Sequence, residues 1–260
     1  MNKVYLLLAF LISSLEISAI SNIISGNVLD GVLVVNASND NIITDNAIGT
    51  DRSGTLNLGN GGNGVEIIVN SADNTVGGVT LAAGNLIAFN QKGVVVGDSV
   101  SDTGSVGNTI LNNSIYNNKL IGIDLANDGS TPNHATNPTP GPNNFQNYPV
   151  LSTPVVTSTG LNVGWSLHSR VSSSFILQFF RNNPGDPEGK ILIQQLTVTT
   201  DANGNASGTI SIGGVPLNSA ITATATYLAG GVTGVVSDTS EFGSVIYGVV
   251  NPCPAKPCTK

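Results

Sequence analysis

Two carboxylates occupy the same position of a repeated pattern. Four segments read Gly, apolar, any residue, apolar: GVLV from Gly31, GVEI from Gly64, GVVV from Gly93 and GIDL from Gly122. Their third positions hold Leu33, Glu66, Val95 and Asp124. If the segments stack as strands about 4.8 Å apart, Glu66 and Asp124 lie about 9–10 Å apart on one outer face. Inverting glycoside hydrolysis uses two carboxyl groups about 6.5–9.5 Å apart, one as general acid and one as general base. The spacing admits that chemistry without selecting it. Any two acids two repeats apart share it, and the apolar Val95 lies between these two. A solvated outer face accounts for both acids more simply, so no residue is assigned a catalytic role.

Other constellations are thinner. The repeats carry one arginine, Arg52, in a loop, and two lysines, Lys92 and Lys119, at turns. The acids are therefore expected to lack a basic partner in the same or an adjacent repeat, except through loops. His134 and His168 both fall outside the repeats, which leaves a Ser–His–Asp triad there without its base. Asp98 and Asp102 could share a cation, but a solvated loop is the simpler reading. Asp201, Asn203 and Asn205 begin like a calcium loop, yet its twelfth position, where a bidentate Glu belongs, is Ile212. A hairpin turn explains that stretch better. No metal ligand and no cofactor is expected, and binding residues stay unassigned. Tyr116, Phe145 and Tyr148 are the best aromatic platforms for a sugar. Asn36, Asn112 and Asn205 head Asn-x-Ser sequons, which matter only in a glycosylating host.

The repeat period dictates the elements. The four glycines are 33, 29 and 29 residues apart. Two asparagine columns run in step with them: Asn41, Asn74 and Asn108 in one, and Asn22, Asn46, Asn85 and Asn113 in the other. Each column residue is followed two positions later by Ile or Val. Three short apolar bursts per period of about 30 residues are the mark of a stacked solenoid. The bursts are too short for helices and alternate as strands do, with Val65, Ile67, Ile123 and Leu125 inward and Glu66 and Asp124 outward. Asparagine suits the corners, because it tolerates left-handed backbone and its amide can bond to the coils above and below.

Composition agrees. Of 260 residues 31 are Gly and only 10% are charged, with nine Lys plus Arg and a net charge of −7. The absence of any basic run argues against a nucleic-acid partner. At the N-terminus, Lys3, the apolar run Val4–Leu15 and Ala19 predict a signal peptide over 1–19, too short to span a bilayer. The competing reading is a retained helix that caps the tube. The β-helix is expected over 20–128, with Gly49–Asn63 looping out of one corner, and a Pro/Asn-rich linker over 129–147. From 148 to 246 the asparagine columns stop and longer alternating strands begin. Asn203-Gly204 marks a hairpin there, and Trp165 is expected in a core. This region is expected to fold alone as a small immunoglobulin-like sandwich. A Cys-Pro tail over 247–260 carries Cys253 and Cys258, expected to pair in an oxidising compartment.

Seven segments carry a resemblance, NLIAFN, GNGVEI, IGTD, GIDL, PNNFQNYPVL, TTDANGNAS and TSEF, within a match over roughly residues 22 to 243. The coils resemble the right-handed parallel β-helix repeats of the pectin-lyase-like superfamily. The whole run is similar to bacterial secreted or surface repeat proteins that end in an immunoglobulin-like β-sandwich. The resemblance implies an all-β chain, a short right-handed parallel β-helix of about 3–4 coils followed by an antiparallel sandwich, in an extracellular setting. It carries no catalytic residues, because the activity of that group is mostly undefined. The N-T-D, G-H-G and R-I-K segments of polygalacturonases and the D-P-H-E of alginate epimerases are absent. The expected function is a secreted or cell-surface structural or adhesive protein, with polysaccharide or a surface protein as partner and self-association at the exposed first coil. The alternative is a polysaccharide lyase or glycoside hydrolase of the same fold.

Overall fold

The computed structural model describes residues 22–158, 160–213, 219–230 and 235–247. The expected signal peptide and the tail cysteines lie outside the described residues. Strands come in coils: β1 (Asn22–Ile24), β2 (Val32–Val34) and β3 (Ile42–Ile43); β4 (Asn46–Ile48), β5 (Val65–Ile67) and β6 (Thr75–Gly77); β7 (Leu86–Ala88), β8 (Val94–Val96) and β9 (Thr109–Leu111); then β10 (Ser114–Tyr116) and β11 (Ile123–Leu125). Equivalent strands pair in parallel, giving the three sheets β1-β4-β7-β10, β2-β5-β8-β11 and β3-β6-β9. In the second sheet Leu33, Glu66, Val95 and Asp124 are successive partners, as the repeat alignment predicts. The inward residues, among them Ile48, Ile67, Ile87, Val94, Ile115 and Ile123, form one buried core.

Close approach explains the glycine that heads each repeat. A Cβ on Gly64 would stand 2.6 Å from the Gly93 carbonyl oxygen and 2.6 Å from the Ile87 methyl. The asparagine columns form directional ladders. The backbone N–H and Nδ2 of Asn41 both donate to Oδ1 of Asn74, at 3.0 and 2.8 Å, and Asn74 repeats this to Asn108 at 3.0 and 3.0 Å. Asn46, Asn85 and Asn113 do the same. A third ladder, Asn27, Asn60, Asn90 and Asn118, runs up another corner. Each rung needs an acceptor in the coil above, so the last coil must find its acceptors elsewhere.

The second half of the chain supplies them. Its strands are β12 (Val150–Leu151), β13 (Val155–Val156), β14 (Gly160–His168), β15 (Ser174–Asn182), β16 (Ile191–Thr199), β17 (Asn205–Gly213), β18 (Ala220–Leu228), β19 (Val236–Thr239) and β20 (Ile246–Tyr247). They form an antiparallel sandwich. In one sheet β14 lies between β17 and the short strands β12 and β13; in the other, β15 lies between β16 and β18, with β19 and β20 beyond β18. Trp165 joins the sandwich core. Two expectations need correction. Asn203-Gly204 does not close a hairpin, because β16 pairs with β15 while β17 pairs with β14, so the turn crosses between sheets. The segment SFILQFF of β15 does not alternate between core and solvent, since every one of its residues is buried. Phe175, Leu177 and Phe179 face the sandwich core, whereas Phe180 belongs to the core of the tube.

The sandwich sits on the open end of the tube, and Phe145, Phe180 and Phe242 extend the tube's core into the seam. Around the rim, side-chain oxygens accept the backbone N–H groups of the last turns. Glu188 accepts from Asn118 at 3.1 Å, Glu241 from Leu125 at 2.9 Å, Asp238 from Gly107 at 2.7 Å and Thr239 from Ile110 at 2.9 Å. Residues 129–147, expected as a linker, are built into this seam through Asn143 and Phe145.

Candidate functional site

The outer face of the second sheet is half solvated. Leu33 is 52% exposed and Glu66 is half-buried, but Val95 and Asp124 are fully buried. Residues after β11 fold back here, and the Gly129 N–H donates to both Asp124 oxygens at 3.3 and 3.1 Å. A carboxylate withdrawn from water needs a cation, and Lys92 supplies it at 2.6 Å. The Lys92 ammonium also donates to the Asn127 carbonyl at 3.1 Å and to Asn127 Oδ1 at 2.6 Å. The basic partner that the sequence left open only through loops is thus present, at the turn before Gly93. Lys92 stands one residue before Gly93, in the same column as Asp30 and Asn63, and that column flanks the acids.

Asp30 and Glu66 form the other half of the row. The backbone N–H of Asn63 donates to Asp30 at 2.7 Å, and its Nδ2 donates to Glu66 at 3.1 Å. Burial, then the charge and hydrogen bond of Asp30, push the Glu66 carboxyl up to about 7, against the pull of Asn63 and Lys92. Glu66 can therefore hold a proton near neutrality, as a general acid must. Asp124 is not available as the second carboxylate of a hydrolytic pair. Asp124 is sealed from water and held by Lys92, so it cannot activate one.

Beside this row lies an open groove of about 550 Å³ at the seam between the last coil and the sandwich. Tyr148, Phe242 and Leu120 give it an apolar wall, and Lys92, Asn127 and Asp128 give it polar points. Of the three aromatic platforms read from the sequence, only Tyr148 lines it. Tyr116 is buried with its hydroxyl donating to the Gly54 carbonyl at 2.5 Å, and Phe145 is in the core.

The remaining candidates are structural. His134 and His168 come together in one cavity of about 440 Å³ with Asp201, although they lie far apart in sequence. Both nitrogens of His168 are already within hydrogen-bond distance of the protein, Nδ1 3.0 Å from Asn205 Oδ1 and Nε2 3.1 Å from the Ala135 carbonyl. Asp102 is not a solvated loop acid: it is buried and accepts the N–H groups of Val69, Asn70 and Ser105. Asp201 accepts from the Asn203 and Asn205 N–H groups, each at 2.8 Å, and closes a turn. Among the described residues no group of three or more His, Cys, Asp or Glu could hold a metal ion, and no helix is long and apolar enough to cross a membrane.

No family model matches the chain, and no curated protein matches it.

Proposed function

We propose that this chain is an extracellular structural or adhesive module that holds a glycan in the groove at the seam. The observation that carries the reading is the placement of Tyr148 beside Asn127 and Asp128 in one open groove. A sugar ring has an apolar face and a hydroxyl rim, and a largely apolar concavity with a few polar groups suits both. The stacked coils, with a shared core and asparagine ladders, make a stiff mount for such a site. The resemblance to right-handed β-helices of the pectin-lyase-like superfamily, with an immunoglobulin-like sandwich behind, supports the extracellular setting. In this reading residues 1–19 direct export and Cys253 pairs with Cys258.

A polysaccharide-cleaving enzyme is the second reading, and the raised pKa of Glu66 favours it. It is weaker, because the partner carboxylate Asp124 is spent on Lys92. The test is a panel of pectins, alginates and other bacterial and host polysaccharides, scored for binding, for new reducing ends and for unsaturated products, with and without calcium. Binding without products supports the adhesive reading. Turnover that disappears in Glu66→Gln would replace it with the enzymatic one.

A further inference from the structure

We propose that the chain carries an autocatalytic cross-linking site, in which the Lys92 side-chain nitrogen joins Asn127 Cγ in an isopeptide bond and Asp124 moves the protons. The three groups meet at one point. Lys92 Nζ stands 2.6 Å from Asp124 Oδ2, 2.6 Å from Asn127 Oδ1 and 3.1 Å from the Asn127 main-chain carbonyl. An amide C=O bond is about 1.2 Å long, so Nζ lies at most about 3.8 Å from Asn127 Cγ. Reacting atoms poised for attack are about 3–3.5 Å apart, and the soft terminal torsion of an asparagine closes the difference. A nucleophile within hydrogen-bond reach of a base that a third group orients is the arrangement that covalent chemistry needs. Here the base is Asp124, and the Gly129 N–H fixes it through both oxygens, at 3.3 and 3.1 Å. Among the described residues Lys92 is the one buried lysine, and Asp124 is fully buried. The chain turns through two left-handed residues, Ala126 at φ 79° and Asn127 at φ 61°, and both oxygens of Asn127 then face Lys92.

The ion pair of Lys92 and Asp124 is the reactant. Proton transfer from the ammonium to Asp124 Oδ2 costs less here than in water, because both ions lose their charge together in a dry site. The amine lone pair then attacks Asn127 Cγ, and the C=O π pair moves onto Oδ1. When the carbonyl re-forms, the Cγ–Nδ2 bond breaks and ammonia leaves. Of the three ammonium protons, one stays on the new amide, one leaves with the ammonia and one stays on Asp124, which ends as an uncharged acid. No oxidant or co-reactant is needed. Asn127 is exposed, so the ammonia has a way out to solvent. The same three acceptors also hold the ammonium in its charged form, so the reactive amine is the minor form. The bond therefore accumulates as the folded chain ages, and freshly folded protein holds the ion pair. The bond joins residues 35 apart, tying the turn before Gly93 to the chain that leaves β11. Residues 127–130 line the Tyr148 groove, so the cross-link clamps one wall of that groove.

The experiment ages the full folded chain at neutral pH and follows its intact mass, after reduction and alkylation, together with a tryptic map. A growing fraction should lose the mass of one ammonia. In that fraction trypsin should fail to cut after Lys92, and a branched peptide should join the segment around Lys92 to the segment around Asn127. Asn127→Ser, a change at an exposed position, and Lys92→Arg, which keeps the positive charge, should each abolish the branched peptide. Asp124→Asn should slow its formation about a hundredfold or more, as loss of a general acid–base group does. The proposal is overturned if the aged parent keeps its full mass, if the lost ammonia maps to a succinimide at Asn203-Gly204 with no branched peptide, or if Asp124→Asn cross-links as fast as the parent.

Discussion

Asn108, in the last full coil, and Asn143, in the segment between tube and sandwich, bond each other reciprocally. The Asn108 N–H donates to Asn143 Oδ1 at 2.9 Å, and Asn143 Nδ2 donates back to the Asn108 carbonyl at 2.7 Å. Asn143 thus stands as the next rung of the Asn41–Asn74–Asn108 ladder, although it comes from outside the repeats. Replacing it with Ala leaves a buried N–H without an acceptor, at a cost of about 1–3 kcal/mol. Asn41→Ala, at the opposite and exposed end of the ladder, should cost much less. Urea unfolding of both variants checks this; equal losses would mean that the ladder does not depend on its final rung.

The shared core predicts that the two halves unfold as one unit. The sequence pattern alone expects 148–246 to fold by itself, but that fragment would bare Phe180 and Phe242. Phe180→Ala in the full chain should cost about 3–5 kcal/mol and shift a single cooperative transition. Calorimetry showing two transitions, with only one of them moved, would contradict a common core.

Lys92→Met strands the Asp124 carboxylate in a dry site and should cost about 3–5 kcal/mol. Adding Asp124→Asn to that variant should recover most of the loss, because the buried charge goes with its partner. A double variant as unstable as the single one would show that Lys92 acts through packing rather than charge.

The rim acids predict an unusual pH profile. Burial pushes Glu188 up to about 8 and Glu241 up to about 7, against the N–H groups that each accepts. Both values lie above the 4.5 of an unperturbed glutamate. Between these limits the folded chain keeps protons that the unfolded chain releases, so stability falls as pH rises. Asp102 acts in the other direction. Its burial works to raise it, but bonds from Ser105, Asn70 and Val69 outweigh that and hold it below the usual carboxylate range. That contribution is lost in acid, as pH falls through the folded value. The melting temperature should therefore be higher at about pH 5 than at about pH 8.5, and Glu188→Gln should flatten the difference. A higher melting temperature at the alkaline end would contradict this account of the rim.

The stacked half of the fold was legible because a solenoid writes its contacts at a fixed period. Gly31, Gly64, Gly93 and Gly122 report one close approach each, and the alternation around Glu66 and Asp124 gives the strand. The ladder of Asn60, Asn90 and Asn118 was not legible, because no Ile or Val follows its members two positions on; Gly62, Lys92 and Leu120 stand there instead. Long-range acceptors left no periodic trace at all: Glu188 and Asn118 are 70 residues apart, and Glu241 and Leu125 are 116 apart. For the same reason the Lys92–Asp124 pair escaped the reading, since a long side chain that folds over a neighbouring coil shows no spacing rule. Tyr148 was legible as an aromatic candidate, but the groove that it lines is made only when residues 127–130 and 242–245 meet.

Calorimetric titration of the tightest-binding oligosaccharide from the panel into the parent protein, Tyr148→Ala and Tyr148→Phe tests the central claim most directly. A stacked sugar needs the ring and not its hydroxyl. The account predicts binding that weakens about two- to tenfold in Tyr148→Ala, in line with a stacking contribution of about 0.5–1.5 kcal/mol, and that is kept in Tyr148→Phe. Unchanged affinity in Tyr148→Ala would place the glycan elsewhere and contradict the groove.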